Sequence, residues 1–198
     1  MKLPKHFYLR PDVAEIARDL VGKSLFTNTN GRVTGGMIVE AEAYCGATDR
    51  ACHAYKNKCT DRTKVMFDAG GIAYVYLCYG IHCLFNIVTN SEGYADAILI
   101  RAVEPTHGLV VIRMRRNSDS RSVNLTSGPG KLTKALGIDL MHNGADLTQD
   151  QIWIEDSGIT FSSDHIVSTT RIGVEYSGID AFLSWRYYIK NNKWVSKP

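Results

Sequence analysis

Apolar side chains recur at helical spacing near the N-terminus. Val13, Ile16, Ala17 and Leu20 fall on one side of a segment from Pro11 to Leu20, and proline suits a first helical turn. The period then changes to two. A strand is predicted through Ser24–Thr27, Asn30-Gly31 marks a hairpin turn, and a second strand runs from Met37 to Tyr44. Cys45 to Thr63 is polar and irregular, a long loop of the kind that is often functional or mobile in a compact domain. Strands follow at Ile72–Cys78, His82–Thr89 and Ala97–Ala102. Pro105 to Arg116 reads as a helix with Leu109, Ile112 and Arg113 on one side, and Asn117–Asn124 as a flexible polar stretch. Ser127-Gly128-Pro129-Gly130 leads into a short helix at Lys131–Leu136, and later strands fall at Ile152–Glu155, Arg171–Val174 and Trp185–Ile189. No linker-like composition shift or repeat divides the chain. The pattern predicts a single mixed α+β domain over residues 1–198, a curved, mostly antiparallel sheet with flanking helices.

Composition adds exclusions. With 198 residues, 44% of them apolar and 22% charged, the chain can bury a core and is not a disordered segment. Asp68 to Glu92 encloses no Asp, Glu, Lys or Arg, which raises the question of a membrane span. Gly70, Gly71, Gly80, His82, Asn86, Thr89 and Asn90 are spread along it, so it reads as two buried strands and a turn, and no membrane partner is expected. The first six residues lack the apolar run of a secretory signal, and the five cysteines are an odd count. Reduced thiols are therefore expected in a protein that is not secreted: cytoplasmic or nucleoid in a bacterium, nuclear in a eukaryote. The formal net charge of +3 is a mild bias compatible with an anionic partner.

Four groups of residues could carry chemistry. In Val39-Glu40-Ala41-Glu42-Ala43-Tyr44, strand parity sends Glu40, Glu42 and Tyr44 to one face and the small apolar residues to the other. Two like charges on one face are unfavourable unless that face is wet or works, and a crowded carboxylate can serve as a base. Parity alone does not choose between Glu40 and Glu42, and a solvated strand face is equally compatible with it. The second group is a tyrosine-rich hairpin. Tyr74, Tyr76 and Cys78 share a face, Asn86 shares a parity with His82 and Leu84, and Tyr79-Gly80 stands where the chain must turn. Exposed aromatics of this kind stack on bases at about 1–3 kcal/mol each, although a tyrosine-rich core hairpin has the same pattern. The third group, Ala51-Cys52-His53 with Cys59, His82 and Cys83, lacks the paired spacing of a zinc site. The fourth is basic: Arg113, Arg115, Arg116, Arg121, Lys131 and Lys134 could face phosphates or simply solvent. Ser127-Gly128-Pro129-Gly130-Lys131 lacks the ending of a phosphate-binding loop, and no Gly-x-Ser-x-Gly elbow is present.

Together these motifs resemble the alkyladenine (3-methyladenine, or methylpurine) DNA glycosylase family. Six blocks match in order: Glu40-Ala41-Glu42-Ala43-Tyr44; Ala51-Cys52-His53; Val65-Met66-Phe67; Tyr74 to Gly80 with Asn86; Arg101-Ala102-Val103-Glu104-Pro105 followed by Ser127 to Leu132; and Arg171-Ile172-Gly173-Val174 ahead of Trp185-Arg186-Tyr187-Tyr188. The chain departs from the pattern at Thr60-Asp61-Arg62-Thr63, where Thr-Pro-Arg-Asn is usual. The resemblance implies a monomeric, monofunctional enzyme without metal or cofactor. Its partner would be double-stranded DNA containing damaged purines, and its product an abasic site. Glu42 would activate the attacking water, which Arg101 and the main-chain carbonyl of Ile172 help hold. Tyr44, His53 and Tyr76 would enclose the extruded base, with Tyr74 beside them and main-chain groups around Ala51 reading its edge. Asn86 would guard against purines bearing guanine's amino group, and Tyr79 would fill the gap left in the duplex. The alternatives are a module that binds distorted nucleic acid without chemistry, and a metal-dependent hydrolase built on His53 and the cysteines.

Overall fold

The computed structural model describes residues 1–118 and 123–197. A four-residue helix, α1 (Lys5–Tyr8), precedes α2 (Val13–Leu20). Helix α2 begins two residues later than the pattern suggests for a proline start. The Asp12 carboxylate accepts from the backbone N–H groups of Ala14 and Glu15 at 2.9 and 3.0 Å, and this cap leaves Pro11 outside the helix. The stripe Val13, Ile16, Ala17 and Leu20 is buried, as its spacing requires.

The strands are β1 (Ser24–Thr29), β2 (Arg32–Tyr44), β3 (Ala73–Cys78), β4 (His82–Thr89), β5 (Asp96–His107), β6 (Ile152–Glu155), β7 (Ile166–Thr169) and β8 (Arg186–Ile189). They form one antiparallel sheet in the order β3-β4-β5-β2-β1-β6, with β8 pairing β2 and β7. The expected α+β class, an antiparallel sheet with few helices, is what the chain adopts. Asn30 and Gly31 both take left-handed angles, φ 53° and 74°, as a tight hairpin between β1 and β2 demands. Strand β2 is the axis of the molecule. One edge pairs with β5; the other pairs first with β1 and then, from Glu40 to Glu42, with β8. Val39, Ala41 and Ala43 enter the main core with Ile16, Leu20, Phe85, Ile98, Ile100 and Leu132. Glu40 and Glu42 are also fully buried, which rules out the solvated strand face.

Two expected elements differ. Pro105 is in β5, not in a helix. Gly36 lets β5 approach closely (a Cβ there would lie 2.3 Å from the Glu104 carbonyl), and a register shift beside it tolerates the missing donor. Gly108, at φ 68°, then turns the chain into α3 (Leu109–Arg116), which buries Ile112 but neither Leu109 nor Arg113. Arg171–Val174 is a bend, not a strand, because Gly173 sits at φ 76°. Strand β7 and the helical turn Glu175–Phe182 were not legible in the pattern. Of Asn117–Asn124, residues 119–122 lie outside those described; Asn117 caps α3 in the left-handed region. Helix α4 (Pro129–Leu136) opens on Pro129 and packs Leu132, Ala135 and Leu136 inward. The long loop from Cys45 to Thr63 is irregular as expected, with one short helical turn at Tyr55–Asn57. A second, smaller core lies beneath it: Cys52, Ala54, Met66, Tyr74, Val88, Ala95 and Ala97.

Candidate active site

The tyrosine face of the β3–β4 hairpin, the long loop and the Arg171–Val174 bend enclose a cleft of about 500 Å³. Tyr44, Ala51, His53, Tyr74, Tyr76, Tyr79, Asn86, Arg101 and Ile172 all line it. Of the residues to which the family resemblance gives a role, only Glu42 does not reach its surface.

Glu42 lies directly under the cleft. Its Oε2 accepts from the Tyr44 hydroxyl at 2.8 Å and from Arg101 Nη1 at 3.2 Å, and its Oε1 accepts from the Ile172 main-chain N–H at 2.8 Å. All three donors belong to residues lining the cleft. A carboxylate has about four acceptor positions, so Oε1 retains room for one further donor on the Ile172 side. Ile172 thus meets Glu42 through its N–H. Burial, and then the adjacent Glu42, raise the pKa of the Tyr44 hydroxyl well above its ordinary value. Burial works against the Arg101 charge, but Glu42 and Glu40 outweigh it and raise the guanidinium's pKa.

The two glutamates, equivalent by parity, are separated by their partners. Glu40 accepts from Arg101 Nε at 3.1 Å, from Arg186 Nη1 at 2.9 Å, and from the Ser196 N–H and hydroxyl at 2.7 and 3.0 Å. It ties the C-terminal segment to β2 and has no contact with the cleft. The expected charge crowding is relieved because Arg101 bridges both carboxylates.

The aromatic wall is ordered as a set. Tyr74 and Tyr76 stack with centroids 5.4 Å apart, and His53 meets Tyr76 edge-on at 4.7 Å. His53 Nδ1 lies 3.0 Å from the Tyr74 hydroxyl, and Arg62 Nη2 lies 3.3 Å from His53 Nε2. Arginine can only donate, so Nε2 accepts and Nδ1 carries the proton toward Tyr74. Desolvation against the tyrosines, and then Arg62, lower the His53 pKa to about 4, so the ring is neutral at pH 7. Asn86 is buried and donates from Nδ2 to the Tyr74 carbonyl at 3.1 Å. Ala51's N–H is committed to Asp49 Oδ1 at 3.0 Å, and its carbonyl accepts from the Tyr176 hydroxyl at 3.3 Å.

Tyr79 is 93% exposed at the hairpin tip. It and Gly80 take φ 49° and 72°, and Ile81 N–H returns to the Cys78 carbonyl at 3.2 Å, the geometry of a two-residue mirror-image turn. The ring therefore projects at the rim of the cleft.

Sequence reading missed the support beneath this surface. Arg171 is buried and pairs with buried Asp49 through both terminal nitrogens, donates to the carbonyls of Ala43 and Asp180 at 2.9 and 3.1 Å, and lies 4.7 Å from the Tyr44 ring centroid. It clamps the long loop, β2 and the C-terminal bend together. Arg62 was given no role from sequence; the available signal was that Thr60-Asp61-Arg62-Thr63 keeps the arginine of the usual Thr-Pro-Arg-Asn. Cys52 is buried, and burial pushes its thiol up to about 12. Among the described residues, no three His, Cys, Asp or Glu side chains are grouped to hold a metal, so His53 and the cysteines do not assemble a centre. No helix of the described residues is long and apolar enough to cross a membrane. Of the basic group, Arg115 braces α3 against Thr34 Oγ1 at 3.0 Å and the Ala135 carbonyl at 3.3 Å, and Lys131 donates to Asn124 Oδ1 at 3.0 Å. Arg121 lies outside the described residues.

Comparison with known proteins places this geometry in a family context. Residues 6–193 match the family model described as methylpurine-DNA glycosylase. A protein of Carboxydothermus hydrogenoformans is 48% identical over 197 residues, covering 100% of both chains. One of Alkaliphilus oremlandii is 45% identical over 204 residues, again 100% of both. One of Methanocella arvoryzae is 44% identical over 196 residues, 98% of this chain and 96% of the relative. All three carry the provisional name 3-methyladenine DNA glycosylase.

Proposed function

Because the chain belongs to the methylpurine-DNA glycosylase family, we propose that it extrudes alkylated or deaminated purines from duplex DNA and hydrolyses the bond to the sugar with a water activated by Glu42. The observation that carries this reading is the fixing of one buried carboxylate, directly beneath an aromatic cleft, by three donors that themselves line that cleft.

A base inside a duplex is out of reach of such a site and must be swung out, at a cost of a few kcal/mol that is smaller for damaged bases. Tyr79, standing free at the rim, replaces the lost stacking. The purine enters between His53, Tyr44 and the stacked Tyr74–Tyr76 pair, whose faces attract a positively charged alkylpurine by about 0.5–2 kcal/mol. Its departure neutralises that charge and leaves oxocarbenium character on the sugar. Glu42 stabilises this charge electrostatically and takes the proton of the water through the free position on Oε1. Tyr44, Arg101 and Ile172 hold the carboxylate in its orientation. Glu42 has no accessible surface in the DNA-free chain, so the water is admitted past the Ile172-Gly173 bend. No lysine of the described residues lines the cleft, in keeping with a hydrolytic, monofunctional reaction. The enzyme acts as a monomer; Arg101 serves the catalytic carboxylate, Tyr79 the duplex, and the other seven cleft residues named from sequence the extruded base.

The test is incubation with duplex oligonucleotides carrying 3-methyladenine, 7-methylguanine, hypoxanthine or ethenoadenine, followed by mild alkali to cut abasic sites. The native chain is expected to yield cut strands, and Glu42→Gln to yield none while still binding the damaged duplex. Excision by Glu42→Gln at the native rate would remove Glu42 from the mechanism. Lesion binding without cutting by the native chain would favour the non-catalytic module.

A further inference from the structure

Arg62 is a cation with an unusual address. Its guanidinium carbon lies 4.9 Å from the Tyr76 ring centroid, its Nη2 is 3.3 Å from His53 Nε2, and it lines the cleft. Among the described residues no carboxylate pairs with it. Its planar group lies over the aromatic face on which, by the glycosylase reading, an extruded purine would stack.

We propose that Arg62 is an internal occupant of the base slot and, through its charge, a specificity-determining residue that biases the cleft toward neutral purines over cationic ones. The inference rests on the glycosylase reading above. A purine must displace the guanidinium before stacking, so its apparent affinity falls by the fraction of chains whose slot is open. The displaced group cannot go far. The Thr60 carbonyl accepts from the N–H groups of Thr63 and Lys64 at 3.0 and 2.8 Å, and Thr63 Oγ1 donates to the Lys58 carbonyl at 3.0 Å. This network pins the backbone of the loop, so Arg62 moves only by its own side chain and stays beside whatever replaces it. A neutral purine is indifferent to that neighbour. A positively charged one meets a like charge at short range in a partly desolvated cleft, where repulsion is strong.

Two measurements on the full chain test this. The first is equilibrium binding of free hypoxanthine, a neutral base, to the native chain, Arg62→Gln and Arg62→Lys. Removing the occupant is expected to tighten binding about two- to fivefold in Arg62→Gln, the factor corresponding to an exposed cation–π contact. Weaker or unchanged binding would make Arg62 a wall of the pocket or a bystander and overturn the proposal. The second is single-turnover excision from matched duplexes carrying 7-methylguanine, which is cationic, and hypoxanthine. The ratio of the two rates is expected to rise at least threefold in Arg62→Gln. It should stay near the native value in Arg62→Lys, which keeps the charge without the flat face. An unchanged or falling ratio in Arg62→Gln would overturn the charge role. A nuclear magnetic resonance titration checks the contact itself: the His53 midpoint, about 4 in the native chain, should move up once the neighbouring cation is gone. A midpoint that stays put would show that Arg62 does not sit on His53 in solution and would likewise overturn the proposal. Absence of excision by every form, with tighter hypoxanthine binding in Arg62→Gln, would sink the glycosylase reading while leaving the occupied slot standing.

Discussion

Glu40 and Glu42 stand two residues apart on one strand and are both sealed from solvent, yet their neighbours give them different work. Glu42 is held by groups that face the cleft; Glu40 is held by Arg186 and Ser196, which close the C-terminus onto β2. Glu40→Gln should therefore appear as a loss of stability. Breaking a buried charge network of this kind costs about 3–5 kcal/mol, measurable as a lower midpoint in urea, with the excision rate per folded molecule less affected than in Glu42→Gln. The Asp49–Arg171 pair belongs to the same class. Both side chains are buried, and Asp49→Asn would leave Arg171 short of its counter-charge. A similar destabilisation is expected there. It should be accompanied by reduced excision, because Arg171 also contacts the Tyr44 ring and borders the bend that carries Ile172. A variant with unchanged stability would show that the clamp is dispensable. The family resemblance singled out Glu42 over Glu40, but no local pattern showed why the two differ. Parity gave the face that the two glutamates share, but Arg186 lies 146 residues from Glu40 and Arg171 lies 122 from Asp49, and no local pattern encodes such pairings.

The β3–β4 hairpin shows an element bent toward a task. Its flanks obey simple alternation: Tyr74 and Tyr76 face the cleft, and Val75 faces the core. Its turn does not follow local preference. A mirror-image turn favours Asn or Gly at its first central position, and this chain places a tyrosine there at φ 49°. An L-residue in the left-handed region costs about 1–2 kcal/mol. Tyr79→Asn, which accepts that geometry more readily, is expected to raise stability by up to about 1 kcal/mol while weakening binding to lesion-bearing duplex. Tyr79→Phe should keep most of the binding. Loss of stability in Tyr79→Asn, read in denaturant, would mean that the ring supports the fold instead of projecting from it. The hairpin was legible because strand alternation and a Gly-containing turn are local signals. Pro105 was misread for the converse reason. Whether a proline starts a helix or ends a strand is decided there by Gly36 across the sheet and by Gly108 after it.

On the scale of the molecule, a net charge of +3 is modest, and part of the basic set is engaged within the chain, as with Arg115 and Lys131. Affinity for duplex should still be dominated by phosphate contacts. The logarithm of the binding constant is expected to fall linearly with the logarithm of salt concentration, by about 0.9 for each phosphate neutralised. A flat response, measured by fluorescence anisotropy between low and moderate salt, would argue against duplex DNA as the partner. The fold's division of labour has a further consequence. Strand β2 supplies core packing through Val39, Ala41 and Ala43 and the site through Glu42 and Tyr44, so its residues are doubly committed and offer little freedom to change. The segment at 58–62 borders the cleft, yet its side chains are exposed. Randomised libraries confined to that stretch could therefore retune which damaged bases are accepted without rebuilding the scaffold.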